Sequence, residues 1–140
     1  MIDLIVTDAP ALADREAIID GLNRYNRDET GGADAQPLAV LIRSESGATT
    51  GGLLGRTWLG WLYVELLYVP DGLRGSGVGR DLMGRAEAEA RGRGCIGIWL
   101  NTFSFQARGF YAALGYESFA TLQDYPPGQS RHFMRKRLVP

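Results

Sequence analysis

The chain has 140 residues, 45% of them hydrophobic, and 15 basic against 16 acidic side chains leave a formal net charge of -1. That size suits one compact domain with a sizeable core. A near-neutral balance argues against a nucleic-acid binder, no apolar run reaches the length of a membrane span, and one histidine with one cysteine is too few for a familiar structural zinc site.

The first segment, "MIDLIVTDAPAL", carries Asp3 and Asp8 and lacks a basic stretch leading into a long apolar one, so it is not read as a signal peptide. Within it "DLIVT" is a short apolar run and the first expected strand. From residue 10 to 25, Leu12, Ile18, Ile19 and Leu22 form an imperfect helical stripe. The polar, glycine-rich "RDETGGADAQP" (27–37) reads as a loop. "PLAVLIRS" (37–44) and "TTGGLLGRTW" (49–58) read as two strands around the turn "ESG". "WLYVELLYV" (61–69) is a dense run of apolar residues that fits a central strand covered on both faces.

A helix follows, with Val78, Leu82, Met83, Ala86 and Ala90 on one face and a glycine stop in "RGRG". "CIGIWLN" (95–101) reads as a strand. It holds Cys95, whose solitude excludes an intramolecular disulfide and fits a reducing, cytoplasmic setting. "SFQARGFYAALG" (104–115) reads as a short helix, and "YESFATL" (116–122) and "RHFMRKRL" (131–138) as two last strands. The expected order, β-α-β-β-β-α-β-α-β-β, is an α/β sandwich: a mixed central sheet flanked by helices, without the regular alternation of a doubly wound fold.

The stretch "LRGSGVGRDLM" (73–83) joins the dense strand to the helix. Glycines at 75, 77 and 79 permit positive φ and remove Cβ atoms, so a ligand can lie against the backbone. The helix start supplies unpaired N–H groups and the positive end of the dipole, a ready site for phosphate. Arg74 and Arg80 sit where they could add charge-assisted hydrogen bonds. Two other phosphate loops fail: Val78 stands where a P-loop requires lysine, and Arg80 or Leu82 stands where the dinucleotide fingerprint requires its third glycine. A glycine-rich turn that only connects strand to helix stays open at this point.

The run Arg74-Gly75-Ser76-Gly77-Val78-Gly79 is similar to the Arg/Gln-x-x-Gly-x-Gly/Ala motif of the GNAT acyltransferases, and "FYAALGYE" (110–117) resembles a later motif of that family. "NTFSFQA" (101–107) resembles a DTFSFQA-like phrase of a small bacterial GNAT subgroup. The resemblance spans roughly the last two thirds of the chain. It implies a single GNAT domain over 1–140, with acetyl-CoA as co-substrate and no metal. It further implies transfer of the acetyl group to a primary amine of a small molecule by direct attack in a ternary complex. Two alternatives stand beside it: a non-catalytic CoA-binding sensor or scaffold, and a protein-amine acetyltransferase. No nucleic-acid or membrane partner is expected, and a homodimer is compatible with the fold.

Residue by residue, the resemblance implies that the backbone around Gly75, Gly77, Val78, Gly79 and Arg80 holds the pyrophosphate, with Arg74 adding charge. The strand end at Leu67 and Val69 would take the pantetheine arm as an added strand. Tyr111 would lie near the thioester sulfur as proton donor. Many members carry an asparagine seven residues before this tyrosine; Ser104 stands there, and Asn101 lies close enough to substitute. Glu65, the one acid in an apolar strand, is a base or an anchor for a cationic substrate, against the plainer reading of a partner for an arginine. Tyr25, Asp124 and Tyr125 are expected at the acceptor pocket. His132 leans structural. Arg131, Arg135, Lys136 and Arg137 read as the solvated face of an edge strand.

Overall fold

The computed structural model describes residues 1–32 and 34–140, in two compact units, Met1–Asp34 and Ala35–Pro140. The first unit is one helix, α1 (Leu12–Thr30), with its flanks. The Asp14 carboxylate accepts the Ala11 N–H at 2.9 Å and so caps the helix start. At the other end Gly31 turns left-handed, φ 62°, and its N–H reaches the Arg27 carbonyl at 2.7 Å. Arg27 also pairs with Asp34. The helix is therefore a turn longer than the apolar stripe indicated, and residues 27–30 belong to it rather than to a loop. The strand expected at residues 3–7 is absent. Leu4, Ile5 and Val6 are exposed and make no ladder, and an extended segment without a partner gains neither hydrogen bonds nor burial.

The second unit holds one six-stranded sheet, built from the six later of the seven strands that the sequence predicts. Its strands are β1 (Gln36–Arg43), β2 (Thr49–Trp58), β3 (Trp61–Tyr68), β4 (Gly97–Phe103), β5 (Glu117–Gln123) and β6 (Ser130–Arg137), in the spatial order β1-β2-β3-β4-β6-β5. The first three form an antiparallel meander. β3 and β4 are parallel, joined through α2 (Val78–Gly92); α3 (Arg108–Ala113) then leads to the antiparallel pair β5–β6. Because β6 lies between β4 and β5, it is not the edge strand that its basic residues suggested.

The core sits between the sheet and α2. Leu53, Leu62, Ile98, Leu100 and Met134 from four strands meet Met83, each under 2% exposed. Burying one such side chain contributes about 1.5–3 kcal/mol. Ala86 and Ala90, small and fully buried, let the helix backbone lie close to the sheet. On the opposite face the Trp61 ring lies on Gly97, where a Cβ would meet ring carbons 2.4 Å away; only glycine fits. Arg93 anchors the helix end. It pairs with Glu89 and donates to the Pro37 carbonyl at 3.0 Å and the Thr57 hydroxyl at 3.1 Å. Glu87, at the edge of the core, accepts from the Tyr116 hydroxyl and from Lys136, both at 2.9 Å, tying α2 to the start of β5 and to β6.

Candidate active site

The cleft arises from the way β3 and β4 part. Their parallel ladder covers only residues 61–63 against 97–99. Just beyond, the register of β3 on β2 jumps: Val64 faces Gly55 and Leu66 faces Leu54, which leaves Glu65 as an extra residue, a β-bulge. A bulge bends its strand and raises its twist. β3 turns away from β4, and between them opens a cleft of about 930 Å³. The bulge also overturns the expectation that β3 is covered on both faces: Leu62 and Val64 are buried, whereas Leu66 and Tyr68 are exposed.

One wall of the cleft is residues 64–69 with the turn after them, including Arg74, Gly75, Gly77, Gly79 and Arg80. Gly75 and Gly77 take φ of +79° and +91°, which L side chains rarely adopt, and no atom lies within 4 Å of where their Cβ atoms would stand. Gly77 precedes the first helical residue, and no side chain caps the helix. Among the described residues the N–H groups of Gly77, Val78, Gly79 and Arg80 have no acceptor; the first paired one is Asp81, onto the Gly77 carbonyl at 3.0 Å. These unpaired donors lie at the positive end of a 15-residue helix. That arrangement fits a pyrophosphate. Arg80 has no ion-pair partner there. Arg74 does not hold its charge free, because its guanidinium donates to the Val69 carbonyl at 3.1 Å and pairs with Asp71 at 2.8 Å. It braces the turn.

The other wall comes from Leu100, Asn101 and Thr102 on β4, the turn through Phe105, Gln106 and Ala107, and Phe110 and Tyr111 on α3. Gln106 staples this turn: its side-chain oxygen accepts the Phe103 N–H at 2.9 Å. That gives "NTFSFQA" a local reason, a polar staple that closes β4 and starts α3. Tyr111 is 6% exposed and packs edge-on against Phe110 and Tyr116, at centroid distances of 5.1 and 5.9 Å. Its hydroxyl has no hydrogen-bond partner among the described residues and is not sealed off. Burial pushes its pKa up to about 12.

Asn101 lines the cleft with both ends of its amide engaged. It donates to the Tyr63 hydroxyl at 3.2 Å and accepts from Arg131 Nε at 2.7 Å. Leu67 and Val69 line the opposite wall, while Val78 lies just behind it, half-buried. Ser104 is not on the cleft. Its hydroxyl donates to Gln129 at 2.6 Å and accepts the Ser130 N–H at 3.1 Å, which draws it toward the β5–β6 loop. The Glu65 carboxylate reaches the cleft wall and pairs with Arg56 at 2.5 Å, the plainer of its two readings. Asp124 and Tyr125 lie outside the cleft lining: Asp124 accepts the Gly128 N–H at 3.3 Å, and Tyr125 stacks on Phe103 at 5.4 Å. Tyr25 is exposed on α1, in the first unit. His132 is buried beside the Thr121 hydroxyl at 3.3 Å, a structural placement.

Sequence reasoning missed Arg56, Tyr63 and the setting of Arg131. Tyr63 stacks on Trp99 at 4.1 Å and lies under the Arg56 guanidinium. Alternation along β3 and β4 puts Tyr63, Trp99 and Asn101 on one face, a signal that was available once the two strands were known to be neighbours.

Comparison with known proteins agrees with this geometry. The sequence profile of the Acetyltransferase (GNAT) family matches residues 7–116. An acetyltransferase of Agrobacterium fabrum is 37% identical over 135 residues, 96% of this chain and 98% of its own. The blasticidin-S acetyltransferase of Streptomyces morookaense is 46% identical over 109 residues, 75% of this chain and 80% of its own. Among solved structures, an acetyltransferase from Bacillus cereus superposes with a TM-score of 0.80 at 29% identity, covering 95% of this chain and 97% of that one. An aminoglycoside 6'-N-acetyltransferase complexed with coenzyme A shares the fold, with a TM-score of 0.62 at 18% identity over 100% of this chain and 98% of that one.

Proposed function

The chain belongs to the GNAT family of acetyltransferases and is an acyltransferase that draws on acetyl-CoA; on that premise we propose that it acetylates a primary amine of a small molecule by direct attack in a ternary complex. The observation that carries the reading is the cleft itself: backbone N–H groups at the start of α2 beside one wall and the Tyr111 hydroxyl on the other, all without a partner among the described residues. The likeness to a blasticidin-S acetyltransferase supports a small-molecule acceptor over a protein amine. We take residues 1–140 as one acetyltransferase domain.

Bound acetyl-CoA supplies the acyl group as a thioester. The N–H groups from Gly77 to Arg80 hold the pyrophosphate, and Gly75 leaves the room for it. The free edge of β3 at Leu67 and Val69 takes the pantetheine arm, and an N–H near Leu67 stabilises the thioester oxygen as it becomes negative. The amine nitrogen bonds to the carbonyl carbon while the carbon–sulfur bond breaks, and the amine's proton leaves through water toward Glu65. Tyr111 faces the departing sulfur. With a pKa of about 12 its hydroxyl stays protonated at neutral pH, and a thiolate of ordinary pKa near 8.5 is a weaker base than the tyrosinate. Tyr111 therefore acts as a hydrogen-bond donor to the developing thiolate, which leaves in that form and takes any proton from water. Tyr25, Asp124 and Tyr125 remain candidates for the acceptor side.

The test is a thiol-release screen with acetyl-CoA across polyamines, aminoglycosides, amino acids and peptides. Thiol release that depends on a small amine is expected. Tight CoA binding with no release under any acceptor would favour a sensor, and release only with peptides would move the acceptor to protein amines.

A further inference from the structure

We propose that Arg131 is a carboxylate-recognition site, so that the acceptor is a primary amine that also carries a carboxyl group, as an amino acid or an aminated sugar acid does. This deepens the reading above and rests on it.

Arg131 is the anomaly among the arginines. Among the described residues only two arginines are half-buried, Arg93 and Arg131; the others are exposed. Arg93 has its acid, Glu89, at 2.8 Å. Arg131 has none within 4.0 Å among the described residues. A cation drawn partly out of water without a counter-charge is costly unless something replaces its hydration. Part of that replacement is visible. Its guanidinium carbon lies 5.2 Å from the centre of the Phe103 ring, 5.1 Å from Tyr125 and 5.9 Å from Phe133. Aromatic faces attract a cation but leave its N–H groups unsatisfied.

The hydrogen bonds make the same point. Nε donates to Asn101 Oδ1 at 2.7 Å, which fixes the plane of the group. The two terminal nitrogens, with four N–H donors between them, have no acceptor among the described residues. A planar fork immobilised by an aromatic cage and one hydrogen bond is pre-organised for a bidentate carboxylate.

The placement ties this fork to the reaction. Asn101 lines the acetyl-CoA cleft, so Arg131 is one hydrogen bond from its wall. The Tyr63 hydroxyl accepts from the same Asn101 and donates to nothing described, which leaves a second donor beside the first. Tyr63 is the last residue of β3 in the ladder with β4, and Arg131 lies on β6 opposite Phe103, past the point where β3 and β4 part.

The experiment uses the full chain and matched pairs of acceptors that differ only by the carboxyl group, such as lysine with cadaverine and β-alanine with ethylamine. Thiol release and calorimetric binding to the CoA-loaded protein are measured for both members. The carboxylated member is expected to be preferred, and Arg131→Gln is expected to lower its kcat/KM about tenfold or more while leaving its partner and the KM for acetyl-CoA unchanged. Arg131→Lys, which keeps charge and loses the fork, should recover only part of the preference and serves if the glutamine variant does not fold. Turnover of amines with no carboxylate preference, or a preference that Arg131→Gln leaves intact, overturns the proposal while the acetyltransferase reading stands. Carboxylate-dependent binding lost in Arg131→Gln, without thiol release from any acceptor, keeps the site and overturns the small-amine reaction. Absence of both overturns both.

Discussion

Replacing Gly77 by alanine isolates what the glycine-rich turn contributes. Gly77 has φ +91° and open space where a Cβ would stand, so the added methyl meets no atom and the penalty is conformational. Holding a non-glycine residue in left-handed backbone costs about 1–2 kcal/mol. The folded protein either bears that cost or rotates the peptide toward negative φ. The first outcome lowers Tm by roughly 3–8 °C for a chain of this size. The second tilts the N–H groups of Gly77 and Val78 away from a common point and weakens CoA binding about tenfold for each 1.4 kcal/mol lost. Gly72→Ala is the control, because Gly72 also has nothing within 4 Å but lacks positive φ. Thermal unfolding and calorimetric titration of CoA into both variants check the reasoning. Gly77→Ala should lose affinity or stability on this scale, and Gly72→Ala should stay within about 0.5 kcal/mol of the parent. A Gly72 variant as impaired as the Gly77 variant, or a Gly77 variant unchanged in both, would refute the argument.

Glu87→Ala removes the shared acceptor of Tyr116 and Lys136 and should cost roughly 3 kcal/mol in urea unfolding, since it leaves a buried hydroxyl and a largely buried ammonium unpaired; a loss under 0.5 kcal/mol would mean water replaces the carboxylate freely. Burial raises the Tyr111 pKa from 10.0 to about 12, so the folded state holds this proton more tightly than the unfolded chain does. Its contribution, about 2–3 kcal/mol for two pH units, is fully present below pH 10 and is lost as pH rises through about 12. Stability of Tyr111→Phe should accordingly fall less over that range than the parent's, and parallel curves would contradict this. Glu65→Gln releases Arg56 and removes the carboxylate at the bulge; kcat/KM for the amine should fall about tenfold or more, whereas an unaltered kcat and KM would remove Glu65 from the chemistry.

Much of the second unit could be read from the sequence because its elements are punctuated locally. Gly94 and Gly115 stop helices, and the alternation in β4 and the apolar density of β3 mark strands without knowledge of what they touch. The segment at residues 3–7 shows the limit. It has strand composition, but a strand exists only with a partner, and composition does not supply one. The bulge at Glu65 was hidden for a related reason: a register jump belongs to the pairing of two strands, and no residue type announces it. The turn at 73–80 was legible as a glycine-rich turn into a helix because glycine spacing and the following helix are both local. Arg131 was not. Its sequence neighbours are basic and polar, and only the pairing of β6 with β4 brings Phe103 and Asn101 beside it. Ser104 was placed by counting back from a tyrosine, and its hydrogen bonds to Gln129 and Ser130 hold it toward the β5–β6 loop instead.

The most direct test of the acetyl-transfer account is Tyr111→Phe, measured for kcat and for the Kd of acetyl-CoA in the same preparation. Loss of a donor to the leaving sulfur should lower kcat about a hundredfold or more and leave the Kd within about threefold. Turnover equal to the parent's, or a fall in kcat matched by an equal loss of acetyl-CoA affinity, would contradict it.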